Sequence, residues 1–163
     1  HWGKFSKKHF CVNKNSILRF HTMNVRKSHI IKHLIYWSKP FGFDQNMLDT
    51  ILMISQANNK KRNITGALIS RSDLFLQYLE GPPLQIDLIF RRILQDDRHV
   101  EITLLSEGLS NRRLFASWAM RDDPVKSWMW TRDEIDCGAL ENLVPEDAQK
   151  LFKRHAKQVD QFL

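Results

Sequence analysis

The sequence predicts an α+β fold in which two helices cover one face of a largely antiparallel sheet. Three observations predict it. Short β-rich runs with alternating apolar residues recur along the middle of the chain, two of them only a hairpin loop apart. Two segments between these runs carry apolar residues at helical spacing. The 163 residues, 42% apolar and 26% charged, suit one ordinary hydrophobic core plus a tail.

The first strand is His33-Leu34-Ile35-Tyr36-Trp37-Ser38, closed by Lys39-Pro40-Phe41-Gly42. Asp44 or Asn46 then caps a helix whose Leu48, Ile51, Leu52 and Ser55 share one face, and which fades at Asn58-Asn59-Lys60-Lys61. Ile64–Ser70 and Leu74–Glu80 are two strand-like runs around Arg71-Ser72-Asp73, the size of a hairpin loop. Gly81-Pro82-Pro83 starts a second helix, because proline is tolerated in a first turn that needs no N–H; Ile86, Ile89, Phe90, Ile93 and Leu94 form its apolar stripe. Val100–Leu105 and Leu114–Arg121 read as two further strands around the polar turn Glu107–Arg113. The order is therefore βαββαββ, a ferredoxin-like arrangement. After Pro124, Thr131-Arg132-Asp133-Glu134 has the form of a capping box, and Pro145–Gln158 is a helix with Ala148, Leu151, Phe152 and His155 on one face. The expected division is a basic, disordered arm at 1–32, a main domain at 33–122 and a helical extension at 123–163.

Charge narrows the function. The net charge is +7, but eight of the 25 Lys and Arg residues fall in residues 1–33, which hold no Asp or Glu, leaving 17 basic against 18 acidic groups beyond them. A basic arm binds polyanions by counterion release without reading sequence, and no recognition module accompanies it, so nucleic acid is not the expected partner. The arm's composition also resembles a transit peptide, and Met23 offers an alternative start. No apolar stretch is long enough to span a bilayer. Cys11 and Cys137 belong to no motif, which points to a reducing, cytoplasmic setting. His29 and His33 stand four apart without a glutamate or a third ligand, so no metal is expected.

Strand geometry sets side chains two apart on one face. Leu34, Tyr36 and Ser38 form one such set; Gly66 with Leu68, Phe75 with Gln77 and Leu79, and Trp118 with Met120 form three more. If these sets face the helices, the core contains a phenol, a carboxamide, a hydroxyl and a thioether. A buried Gln needs partners, since an unsatisfied polar group costs roughly 1–3 kcal/mol. Two accounts meet that need: a Tyr36–Gln77 hydrogen bond within an ordinary core, or a planar polar ligand between the helices with Gln77 at its edge. Asn58-Asn59 could pair with the imide-like edge of such a ligand or simply stop a helix. Asp96-Asp97-Arg98-His99 could meet carbonyl or phosphate oxygens or be a solvated charge cluster.

At these same residues the chain resembles the BLUF family of flavin-binding blue-light sensors, over about residues 33–122. The resemblance rests on Ile35-Tyr36-Trp37-Ser38, Asn59, Ile64-Thr65-Gly66-Ala67-Leu68, Phe75-Leu76-Gln77-Tyr78-Leu79-Glu80-Gly81, Asp96-Asp97-Arg98-His99 and Trp118-Ala119-Met120, in order and spacing. It implies a ferredoxin-like fold with an isoalloxazine ring between the two helices and FAD as cofactor, FMN being the other candidate. Tyr36 would be the phenol that gives an electron, and then a proton through Gln77, to the photoexcited flavin. Gln77 would bridge this phenol to the flavin and change its hydrogen bonds in the signalling state. Asn59, with Asn58 beside it, would meet the imide edge. Ile51, Ser55, Phe75 and Ile93 would line the ring, and Arg98 and His99, with Asp96 behind them, would hold its pyrimidine side and phosphate. Ser38, Leu68 and Met120 complete the implied cofactor-binding set, and Trp118 with Met120 would relay the signal as a strand-five pair.

The resemblance further implies a photosensory protein rather than an enzyme, of the short stand-alone type that acts through an effector protein and forms homo-oligomers. Trp128-Met129-Trp130 and the Pro145–Gln158 helix are the candidates both for covering the second sheet face and for partner contacts. Two rivals are a ferredoxin-like small hydrolase, which would want an anion-binding glycine loop after strand one, and a nucleic-acid module using the basic arm.

Overall fold

The computed structural model describes residues 29–160. The elements run β1 (Ile31–Pro40), α1 (Gln45–Lys61), β2 (Thr65–Arg71), β3 (Leu74–Gly81), α2 (Pro83–Ile93), β4 (His99–Ser110), β5 (Arg121–Pro124), α3 (Arg132–Asp136) and α4 (Pro145–Asp160). They form one five-stranded sheet in the order β4-β1-β3-β2-β5. Asp44 caps α1 by accepting from the Asn46 amide, and Thr131 caps α3 in a capping box with Glu134.

Alternation along the strands divides two cores. Leu34, Tyr36, Leu68, Phe75 and Leu79 face α1 and α2, meeting Leu48 and Ile86. Ile35, Trp37, Ile69, Leu76 and Tyr78 point the other way and are covered by α3 and α4 through Ile135, Ala148, Phe152 and Ala156. The central strand β3 is buried along its whole length, as a strand sandwiched between two helical layers must be. The extension after residue 123 thus packs onto its own domain; Gln149 on α4, for example, donates from Nε2 to Ser106 Oγ on β4 at 2.9 Å.

Three expectations need correction. The arm boundary lies earlier, since Ile31 and Lys32 already belong to β1 and Lys32 bridges Asp87 and Glu107; residues 1–28 of that arm fall outside the described residues. The fourth and fifth strands are not a hairpin, because β4 and β5 lie on opposite edges of the sheet and β5 runs parallel to β2. Leu114–Met120 is not a strand at all. The fully buried Glu80 carboxylate accepts from the amides of Leu114 and Phe115, both at 2.7 Å, and draws the chain across the strand ends toward β2.

Candidate functional site

Between α1, α2 and the sheet lies a thin seam with a cavity volume of about 60 Å³. Its floor comes from β3 and its neighbours: Tyr36 on β1, Leu68 on β2, and Phe75, Gln77 and Leu79 on β3. Ile51, Leu52, Ser55 and Asn59 descend from α1, Ile89 and Ile93 from α2. Asp96, Arg98 and His99, after α2, close one end, and Met120 closes another.

The polar groups in it are few and positioned. The Tyr36 hydroxyl donates to Gln77 Oε1, both residues being buried, and Gln77 Nε2 donates to Met120 Sδ at 3.3 Å. Burial first, and the Asp96 charge second, push the Tyr36 phenol well above its usual range, so it stays protonated at neutral pH. With the phenol donating, the amide oxygen faces Tyr36 and its nitrogen faces the thioether. Sulfur is a weak acceptor, so the second bond is easily exchanged. Tyr36 also packs beside Phe90 and His99.

At the charged end, Arg98 Nε donates to Asp96 Oδ1 at 2.8 Å, which holds the Asp96 carboxyl below its usual range. Burial lowers the pKa of His99, whose Nδ1 hydrogen-bonds with the buried Ser38 hydroxyl at 2.9 Å. Ser38 therefore stands behind His99 rather than in the seam.

Of the expected cofactor-binding residues all but Ser38 and Asn58 line the seam, and the expected strand-five pair is a third departure. Asn58 is half-buried and stands outside the seam, because the helix turn that buries Asn59 rotates its neighbour away. Trp118 and Met120 do not form a strand pair: they sit in a bend before β5, where Met120 joins the helix-side core and Trp118 packs against the opposite one. Leu52, Leu79 and Ile89 belong to the lining although only their helical or strand periodicity marked them. Sequence reasoning missed how this bend is held. Gln56 Nε2 donates to Met120 O at 3.1 Å, Asn59 Nδ2 to Ala119 O at 2.9 Å, and the Gly66 amide to Trp118 O at 3.0 Å. Among the described residues no cluster of three metal-ligating side chains occurs, and no helix is long and apolar enough to cross a membrane.

The arrangement suits a flat apolar body with hydrogen-bonding edges. Only Leu48 and Asn59 of the 17 residues of α1 are buried. Ile51, Leu52 and Ser55 line the seam yet stay half-buried. Gln77, whose amide nitrogen has only a thioether as partner, and Asn59, Arg98 and His99 supply edge contacts of the kind an isoalloxazine and its side chain require.

Known proteins agree. The BLUF family model, described as sensors of blue-light using FAD, matches residues 31–121. The photoactivated adenylate cyclase subunit beta of Euglena longa is 27% identical over 100 residues, 60% of this chain and 12% of that protein. The chain therefore spans about an eighth of the length of such curated relatives. The dark-state structure of BlrB, a BLUF protein, superposes with a TM-score of 0.68 at 27% identity, covering 80% of this chain and 98% of that one. Klebsiella pneumoniae BlrP1 with FMN and cyclic diGMP superposes at a TM-score of 0.56 and 28% identity over 68% of this chain and 28% of that one. With a family match over more than half its length and the matching fold, this chain belongs to the BLUF family of blue-light sensors.

Proposed function

We propose that the seam binds FAD and that the Tyr36–Gln77–Met120 chain of hydrogen bonds is the light-switched element. The observation that carries this reading is a buried phenol donating to a carboxamide whose other end rests on sulfur. A bound flavin supplies blue-light absorption and a strongly oxidising excited state. The protein's part is to hold an oxidisable phenol, a path for its proton and an amide with two orientations. Tyr36, desolvated and protonated, is the electron source; its hydroxyl proton already points along the bond to Gln77 Oε1. Gln77, once turned about its last torsion, presents its amide nitrogen to the phenol oxygen and frees Met120 Sδ. The orientations differ by about one hydrogen bond, worth roughly 0.5–1.5 kcal/mol net, small enough to be switched.

Asn59, Arg98 and His99 would hold the flavin, with Asp96 orienting Arg98 and Ser38 orienting His99. Ile51, Ser55, Leu68, Phe75 and Ile93 would line the ring. Release of the Met120 contact would be felt in the bend from Trp118 to Met120, and through β5 in α4, where Asp123 meets His155 at 3.0 Å. This makes the domain a sensor rather than a catalyst. Its effector protein, or a second copy of the chain, would read the helices of the extension in a reducing, cytoplasmic setting.

The test is an absorption spectrum before and after blue illumination, with chromatography of the released flavin. Flavin bands with a reversible red shift in the parent, and bound flavin without the shift in Tyr36→Phe and Gln77→Leu, are expected. A variant that photocycles normally refutes the role given to that residue, and released FMN in place of FAD refutes the choice of cofactor.

A further inference from the structure

On the sheet face opposite Gln77, a second cavity of about 430 Å³ lies where the start of β1, the end of β4 and α4 meet. That is the size of small-molecule sites. Its wall is aromatic: the His33 and Tyr78 rings lie nearly parallel, 8° apart, with centroids 5.9 Å from each other. The imidazole is held by design of the backbone, since His33 pairs with Gly108 and a Cβ there would fall 2.7 Å from His33 Cε1. Its Nε2 is buried without a hydrogen-bond partner among the described residues.

The charge around this cavity is one-sided. Arg112, Arg113 and Lys153 line it, and among the described residues no Asp or Glu does. Arg113 is already committed, donating to Thr65 Oγ1, Glu80 O and Asn63 O. Arg112 and Lys153 have no carboxylate partner among the described residues. The nearby Glu107 is bound to Lys32 instead. Burial and then the Lys153 charge hold the His33 imidazole below its usual range, which leaves it neutral and adds no charge of its own.

We propose that this cavity binds a small planar aromatic anion, its ring against His33 and Tyr78 and its phosphate or carboxylate on Arg112 and Lys153. An aromatic wall and two cations without a carboxylate partner among the described residues are the elements such a ligand needs, and Leu109 and Leu114 add apolar contact.

The test uses the full chain with its flavin, titrated with AMP and salicylate as probes that join ring and charge, and with adenosine and inorganic phosphate as probes that separate them. Binding is read by calorimetry and by the His33 imidazole NMR signals. At least one of AMP and salicylate should bind with a Kd below about 1 mM and shift His33, with adenosine and phosphate at least about tenfold weaker. The double variant Arg112→Ala/Lys153→Ala, which alters two exposed side chains, should weaken binding by about tenfold or more. Failure of both joined probes to shift His33, phosphate binding as tightly as AMP, or an unweakened double variant would each overturn the proposal. None of these outcomes touches the light-sensing reading, whose test is optical.

Discussion

Removing both ends of the Tyr36–Gln77 hydrogen bond should cost the fold less than removing each end in turn. Tyr36 is 0% and Gln77 8% exposed, so neither group can turn to water when its partner is lost. Tyr36→Phe leaves Gln77 Oε1 buried without its donor, and Gln77→Leu leaves the phenol hydroxyl without its acceptor. Each orphaned group costs roughly 1–3 kcal/mol, about 5- to 150-fold in the folding equilibrium. In Tyr36→Phe/Gln77→Leu neither orphan remains, and the seam gains an apolar side chain beside Leu68 and Met120. The double variant should therefore be more stable than the sum of the singles by the two orphan costs together, about 2–6 kcal/mol. Urea unfolding followed by tryptophan fluorescence at one fixed free flavin concentration, with the ligand contribution of each protein subtracted from its own measured flavin Kd, measures this coupling. Costs that add to within about 0.5 kcal/mol would mean that the bond is not made in solution, and the switch would lose its basis.

Other outcomes follow from single positions. Gly66→Ala places a Cβ 2.0 Å from the backbone oxygen of Tyr78, so β2 and β3 must part; a loss of about 1–3 kcal/mol in chemical denaturation is expected, and an unchanged midpoint refutes the close approach. Phe152→Ala empties a fully buried site between α4 and the sheet; it should cost about 3–5 kcal/mol and speed amide exchange along α4, whereas unaltered exchange would mean that the helix is not docked. Asp123→Asn tests the β5–α4 contact by pH. Burial pushes the Asp123 carboxyl up, but its bonds to His155 and Arg121 outweigh this and hold it below the ordinary 3.8. Its stabilisation is therefore complete above about pH 4 and lost as pH falls through the lowered pKa; the variant should show a flatter stability curve below about pH 4, and parallel curves would rule the linkage out.

Much of the fold was legible because it rests on local periodicity. The stripe Ile86, Ile89, Phe90, Ile93 reads as a helix lying on something apolar, and the alternation Phe75, Gln77, Leu79 puts a carboxamide on one face of a strand, which the structure turns toward the helices. The capping box at Thr131 and Glu134 announced α3 by chemistry confined to four residues. The charge cluster Asp96, Arg98, His99 reached the seam because it directly follows a helix whose direction the pattern had already set.

What the sequence determined by itself, then, was which side chains share a face: that follows from repeats of two and 3.6 residues and needs no knowledge of the rest of the chain. Only the tertiary structure decided where strands meet. Leu114–Met120 has the apolar content of a strand, yet it is a bend, because Glu80, 34 residues earlier in the chain, captures its amides and Gln56, Asn59 and Gly66 bind its carbonyls. Those contacts send Met120 to Gln77 and Trp118 to the opposite core, and they place β4 and β5 at opposite edges. Pairing of this kind depends on hydrogen-bond partners distant in sequence, and no local pattern carries that information.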